Sequence, residues 1–458
     1  MARRRSYRAP FAGHRCGVSG PSTLRGLRSS ITAHRFKPLK IIISLFLASM
    51  VICSAGPTPE MAEPAGALTL RQALALALTR NPELAVVSYD VRIGEARVLQ
   101  ARLSPNPEAE FISENVTGSG QYSDANLSEN TLLLGQLIEF GGKRRARVRE
   151  AAFGRDLAEF DYETKKREVF LKTARDFVDV LAIQRRVVIN DELVRLANDF
   201  IPVVVKRIEA GKASDLEKTR FDVAIGSARI DLEQAKHDLT AARQRLASRW
   251  GSLKPRFASV AGNLDATTAT ASLDALARRL AANPRLARFG AEGAQRQAAL
   301  AREKAAAVPD VTLRAGGRQI NETNDTTAVL GFSVPLPLWN RNQGNIRAAR
   351  ERIDRTDAEQ AAVAAELMTE LTEGYENLER ARAAILILRE NVLPGADNAL
   401  KATTEGYEAG RFSYLDVFEA RRTTGAARIQ YLQAITDYHK ALHVVEALTA
   451  DPRAHNLP

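Results

Sequence analysis

The chain has 458 residues, a formal charge of +11, 6% aromatic residues and two cysteines. Ten basic residues and no acidic ones fall within residues 1–55, which leaves +1 on the remainder and argues against a nucleic-acid-binding protein. Both cysteines, Cys16 and Cys53, lie in that leading stretch, so disulfides and thiolate metal sites are excluded from the rest of the chain.

The basic lead-in runs into the apolar segment Ile41 to Gly56 (IIISLFLASMVICSAG), which falls short of the roughly 20 residues a membrane-spanning helix needs. It reads as the core of a signal peptide with a small-residue cleavage site near Ser54-Ala55, followed by Pro57 and Pro59. The length of the lead-in leaves open a start codon downstream of Met1. Bulky Ile52 disfavours Cys53 as a lipidation site without closing that question. Residues 1–56 are thus expected to be a signal region and 57–67 a linker.

The remainder of the chain is a duplication. Asn81-Pro82 and Asn283-Pro284 open parallel segments at an offset of 202, and Pro107, Gly142 and Ala146 recur as Pro309, Gly344 and Ala348. A second stretch repeats at an offset of 199, where Glu209-Ala210-Gly211, Ser214 and Leu216 match Glu408-Ala409-Gly410, Ser413 and Leu415. A unit of roughly two hundred residues is far longer than a solenoid repeat of about 20 to 50, so two equivalent halves are expected. Their bounds are read as 68–250 and 272–449, with a linker at 251–271 and a tail at 450–458.

Each half opens with an amphipathic helical pattern, Leu68 to Leu103 and Ser272 to Ala305, broken at Asn-Pro into a short helix and a longer one. Two strands come next in each half. The second half alternates most clearly, with Val311, Leu313 and Ala315 set against Thr312 and Arg314, and Ala328, Leu330 and Phe332 set against Val329, Gly331 and Ser333. The first-half strands are PEAEFISENV and ENTLLLGQLIEF, and both pairs are joined by polar, turn-rich segments. Runs of about seven to ten alternating residues suit transmembrane β-strands.

Gly141 and Gly142 mark the change from strand to helix. From Lys143 to about Phe200 a helix of roughly 85 Å is expected, with apolar residues at Phe170, Ala174, Phe177 and Leu181 in coiled-coil spacing. The second half repeats the spacing at Leu371, Tyr375, Leu378 and Ile385, interrupted by Arg382. Pro202 with Gly211, and Pro394 and Gly395 with Gly410, are read as reversals, after which helices run from Ser214 to Trp250 and from Ser413 to about Thr449. The fold class is therefore mainly α with a small β part. Four strands cannot close a membrane barrel, which takes about eight, so transmembrane strands require several chains.

Four strings identify a family resemblance: the opening LTLRQALALALTRNPEL, the junction LIEFGGKRRAR (Leu137 to Arg147), its counterpart VPLPLWNRNQGNI (Val334 to Ile346), and the turn GYEAGRFSYLDVFEA (Gly406 to Ala420). In this order and duplicated, they make Leu68 to Thr449 similar to the TolC-type outer-membrane efflux proteins. The GGKR junction is most similar to the CzcC-like branch, which serves cobalt, zinc and cadmium efflux. The resemblance implies a homotrimer with one 12-stranded β-barrel in outer-membrane lipid and a periplasmic α-barrel of long helices. It also implies a periplasmic adaptor and an inner-membrane pump of the resistance-nodulation-division type, no cofactor and no catalysis.

Asp416 and Glu419, three apart near the start of the last helix, resemble the paired aspartates at the periplasmic entrance of that family. Six carboxylates around an opening favour cations and resist closure. Glu217 and Arg220 hold the equivalent places in the first half, so the ring is not wholly acidic. The alternative for these carboxylates is a solvated first turn favoured by the helix dipole. Gly211 and Gly410, with Ser214 and Ser413 as helix N-caps, shape the tip turns, where the resemblance implies an adaptor contact that includes Leu415 and the alternative is turn chemistry alone. His439 and His443 are four apart on a helix, a spacing that can hold a metal, but no carboxylate or cysteine motif completes the site and an exposed pair is expected. Rival readings are a duct for drugs or for secreted polypeptides, a soluble periplasmic coiled-coil scaffold, and an enzyme, for which no catalytic constellation is evident.

Overall fold

The computed structural model describes residues 63–123, 125–211 and 214–449, so the signal region, both cysteines and the tail lie outside the described residues. The expected break at Asn81-Pro82 separates α1 (Leu70–Arg80) from α2 (Pro82–Arg102), and that at Asn283-Pro284 follows α5 (Leu273–Ala277) and a 3₁₀ segment and opens α6 (Pro284–Ala306). Both asparagines are buried and do the same two jobs. Asn81 Oδ1 caps α2 by accepting from Leu84 N at 3.0 Å, while its Nδ2 donates to Arg249 O at 2.7 Å. Asn283 Oδ1 accepts from Arg285 N at 2.9 Å, and its Nδ2 donates to Leu448 O at 2.8 Å. Each half is thus fastened from the start of its second helix to the end of its last one.

The sheet has four antiparallel strands in the order β2 (Glu108–Glu114), β3 (Glu129–Ile138), β5 (Val311–Ile320) and β6 (Asp325–Ser333). Phe111 pairs with Leu132, Leu134 with Ala315, Ala315 with Leu330 and Leu313 with Phe332, so these apolar side chains share one face. The intervening residues share the other. At Gly316 a side chain would collide with the Leu132 carbonyl of the neighbouring strand, which explains glycine in the middle of a strand.

α3 (Lys143–Glu209) has 67 residues, which at about 1.5 Å each is roughly 100 Å. It passes through Pro202, so the reversal expected there is corrected: the chain turns only at Gly211. A proline inside a helix costs ~3 kcal/mol through its missing N–H and its ring. Here the loss is offset by burial on either side, because Phe200 and Val204 are enclosed by Phe221 and Ile225 of α4 (Asp215–Ser248) and by Tyr407. Pro394 is likewise no reversal. It stands in the first turn of α8 (Leu393–Glu408), which continues α7 (Gln343–Ile387) through a π turn at Leu388–Val392. The wide turn lies where the proline ring would otherwise press on the Glu390 carbonyl.

The final helix, α9 (Tyr414–Thr449), packs on α7, α3 and α8. Leu371, Leu378 and Ile385 of α7 are buried, as are Ala174 and Phe177 of α3, so the expected seam is the core. Arg382 is exposed, and Ala381 beside it is buried.

Two three-residue strands lie in or at the edge of the segments expected as linkers. β1 (Ala67–Thr69) pairs in parallel with β4 (Ser259–Ala261), and the Glu63 carboxylate accepts from Trp250 Nε1 at 3.2 Å and from Arg256 N at 2.5 Å. These segments are structured because Leu68, Trp250, Phe257 and Val260 close the core over Phe177 and Val180. Replacing Asn283 by alanine removes a cap and a long-range bond together and is expected to cost about 1–3 kcal/mol. Asn81→Ala should cost a similar amount, both read as a lowered thermal midpoint by circular dichroism.

Candidate functional site

The two faces of the sheet differ in chemistry. The apolar face exposes Phe111, Leu132, Leu134, Leu313, Leu330 and Phe332, flanked by exposed Phe140 and Trp339. The opposite face carries Glu108, Glu110, Glu114 and Glu129 against Arg314 and Arg318. Arg318 reaches Glu129 at 2.5 Å and Glu114 at 3.1 Å, and Arg314 reaches Glu110 at 3.5 Å. Cross-strand pairs of this kind fix register on a wet surface. Four carboxylates against two guanidinium groups leave the charged face acidic.

At the other end of α3 the two hairpin turns lie side by side. Gly211 has φ +67° and Gly410 has φ +75°, the left-handed geometry that glycine adopts without steric cost. Gly410 N donates to Tyr407 O at 3.0 Å, and Arg411 N donates to Gly406 O at 2.7 Å. Ser413 is a true N-cap. Its hydroxyl accepts from Asp416 N at 3.4 Å, while the Asp416 carboxylate accepts from Ser413 N at 2.8 Å and from Ser413 Oγ at 2.7 Å. Those bonds hold the Asp416 carboxyl below its ordinary range. Ser214 occupies the equivalent place but makes no side-chain capping bond, which corrects the expected symmetry. Glu419 pairs with Arg422 at 2.8 Å. Leu216 and Leu415, at equivalent positions, are both exposed.

Between the turns lies a cluster that sequence reading missed. Phe200 stands 5.4 Å from Tyr407 and 6.1 Å from Phe221, and Phe221 stands 5.7 Å from Tyr414. Arg207 lies over the Tyr407 ring at 4.3 Å and Arg421 over the Phe200 ring at 4.4 Å. Arg421 also donates to Leu196 O at 2.8 Å, and burial lowers its pKa. The hydroxyls of Tyr407 and Tyr414 are buried with no partner. Burial pushes Tyr414 up to about 12, with the Glu217 charge a smaller contribution in the same direction. The available signal was the density of aromatic residues in GYEAGRFSYLDVF, which the turn reading absorbed.

His439 and His443 are buried, 5% and 1% exposed, contrary to the expected exposed pair. α9 is enclosed on several sides, and a carboxylate does reach the pair: His443 Nδ1 lies 2.9 Å from Glu446 Oε2. Among the described residues no three His, Cys, Asp or Glu side chains converge on a metal position, and no helix is long and apolar enough to cross a membrane.

A sheet apolar on one face and charged on the other, carried on paired helices and duplicated within the chain, has the strand pattern of an outer-membrane channel protein. The chain belongs to the outer membrane efflux protein family, whose model matches residues 73–252 and 275–450, one segment in each half. It is similar to the cobalt-zinc-cadmium resistance protein CzcC of Cupriavidus metallidurans, 32% identical over 418 residues covering 90% of this chain and 98% of that protein. It is also similar to the nickel-cobalt-cadmium resistance protein NccC of Alcaligenes xylosoxydans xylosoxydans, 25% identical across 74% of this chain and 77% of that one. Among solved structures, CusC superposes with a TM-score of 0.67 at 17% identity, covering 83% of this chain and 91% of that chain. VceC of Vibrio cholerae gives 0.69 at 18%, covering 83% and 96%. These structural likenesses speak for the fold.

The unpartnered hydroxyl of Tyr414 makes a testable contrast within the cluster. Tyr414→Phe should leave the thermal midpoint unchanged or raise it, because a buried orphan polar group is removed. Phe200→Ala should lower stability by about 3–5 kcal/mol.

Proposed function

We propose that this protein is the passive outer-membrane exit duct of a tripartite efflux system for divalent metal cations, cobalt, zinc and cadmium among them. The observation that carries this reading is the likeness to CzcC along nearly its whole length. An inner-membrane proton-driven pump and a periplasmic adaptor deliver the cations, and this subunit performs no chemistry on them.

The sheet supports the assembly. Among the described residues β2 and β6 have no strand on their outer edges. Lipid offers no hydrogen bonds to such edges, so a membrane sheet must close. One chain supplies four strands and the smallest barrels need about eight; three copies give the 12-stranded barrel of the family resemblance. The apolar face then meets lipid, with Phe140 and Trp339 at its borders, and the acidic face lines the lumen and favours cations. The helices support the same stoichiometry. α4 packs chiefly on α3, yet Leu216, Val223 and Ile230 recur at seven-residue spacing on its exposed side, an apolar stripe without a partner among the described residues. A neighbouring copy fills it.

At the periplasmic end, Asp416, Glu419 and Glu217 surround the entrance, while Gly211, Ser214 and the turn at Gly410 to Ser413 receive the adaptor, with Leu415 as its apolar contact. Asp416 is tied to Ser413 and Glu419 to Arg422, so their charges are fixed in place.

Growth of a deletion strain, with and without a complementing copy, tests the substrate. Sensitivity confined to cobalt, zinc and cadmium is expected; sensitivity only to dyes and antibiotics would move the cargo to organic compounds and keep the duct. Chemical cross-linking of detergent-extracted protein should stop at trimer, and a monomer throughout would sink the shared barrel. Replacing Asp416 and Glu419 together by alanine should change single-channel conductance in planar bilayers and weaken block by divalent cations. Unchanged conductance and block would remove the entrance role of these carboxylates.

A further inference from the structure

The largely apolar cavity beside α9 has a volume of about 730 Å³ and is lined by Leu70 and Leu74 of α1, Phe170 and Phe177 of α3, and the imidazoles of His439 and His443. Two histidines four apart on one helix have the spacing that metalloprotein helices use to present both rings to one cation.

Each ring has one nitrogen held by an oxygen acceptor, an arrangement that metal-ligating imidazoles also have. His439 Nε2 lies 2.8 Å from the Leu264 carbonyl, which can only accept, so this nitrogen carries the proton. His443 Nδ1 lies 2.9 Å from the Glu446 carboxylate. Each ring therefore has one nitrogen occupied by an acceptor, and the other, Nδ1 of His439 and Nε2 of His443, makes no hydrogen bond to the protein among the described residues. In metal sites a carbonyl or carboxylate on the far nitrogen fixes the tautomer and raises the basicity of the near one.

We infer that His439 and His443 form a two-imidazole site for a divalent transition-metal cation of the zinc and cobalt class, with Glu446 and the Leu264 carbonyl as outer-shell partners. No third protein ligand converges on the pair among the described residues, so the remaining coordination positions are taken by water, for which the cavity has room. Imidazole nitrogen suits zinc, cobalt, nickel and copper and disfavours calcium and magnesium. A cation here ties α9, through His439, to Leu264 and the segment after β4. The site does not depend on the proposed cargo, and a duct for organic compounds would carry it equally.

The test is titration of the purified trimer, freed of any affinity tag, with Co²⁺ and Zn²⁺ alone. One Co²⁺ per chain should bind with visible absorption bands of nitrogen ligation, and Zn²⁺ should displace it. Glu446→Gln, which leaves both imidazoles in place, should weaken binding about ten- to a hundredfold. His443→Gln should abolish it, and His237→Gln, on an exposed face of α4, should change nothing. Should His443→Gln fail to fold, the wild-type spectrum and the Glu446→Gln titration still decide. Absence of Co²⁺ binding, bands of oxygen ligation only, or binding unaffected by Glu446→Gln and His443→Gln would each overturn the site.

Discussion

A helix of 67 residues has to be covered by other parts of the protein, since helical stability in proteins comes mainly from tertiary packing of one face. That requirement organises this chain. α3 is contacted by α1, α2, α4, α6 and α9, elements drawn from both halves of the duplication. The two halves therefore cannot be independent domains laid end to end, because the longest helix of the first is roofed by the last helix of the second. The partly buried ion pairs between Arg249 and Asp176, at 2.5 Å, and between Lys440 and Asp179 attach α3 to the end of α4 on one side and to α9 on the other. Leaving either charge without its partner in a half-buried site would be costly, so these contacts fix position as much as they add stability.

Duplication is most faithful where geometry is least tolerant. The Asn-Pro pairs survive because one side chain must both cap a helix and reach a carbonyl at the far end of the same half, a pair of distances that few residues meet. The glycines of the tip turns survive because a positive φ excludes most side chains. Elsewhere the halves have diverged. Ser413 closes a capping box with Asp416, whereas Ser214, with Glu217 at the same spacing, makes no such bond. The Glu217 charge acts instead on Tyr407 and Tyr414, raising the pKa of both. Equivalent sequence positions have become one structural cap and one electrostatic neighbour of a buried core.

The features legible in the sequence were those decided by local rules. Strand alternation gave the apolar face of the sheet, and Asn-Pro and glycine gave the breaks and turns, because each is settled within a few residues. The concealed features depended on distant partners. Pro202 and Pro394 read as reversals by local rules, yet both lie inside continuous helices, because packing against other helices outweighs the local penalty at the first and a π turn relieves it at the second. β1 and β4 are too short to alternate and exist only because they find each other across almost two hundred residues. His439 and His443 looked exposed because a polar pair on a helix usually is; that α9 is covered there is a property of α3, α1 and the segment after β4.

The same distinction governs how function is distributed. The charged face of the sheet is a ladder whose members hold one another, with Glu110 and Glu114 of β2 and Glu129 of β3 all paired to guanidinium groups of β5. At the tip the carboxylates answer to local partners, Ser413 and Arg422, while the contact between hairpins is made of aromatic rings and stacked arginines. Such a joint differs from a salt bridge in its response to solution conditions. Buried contacts are screened less by salt than exposed ones, and arginine keeps its charge at any physiological pH, so the joint is less sensitive to salt and acidity than an exposed acid–base pair. Buried rings and arginines, not an acid–base pair, therefore join the two hairpins.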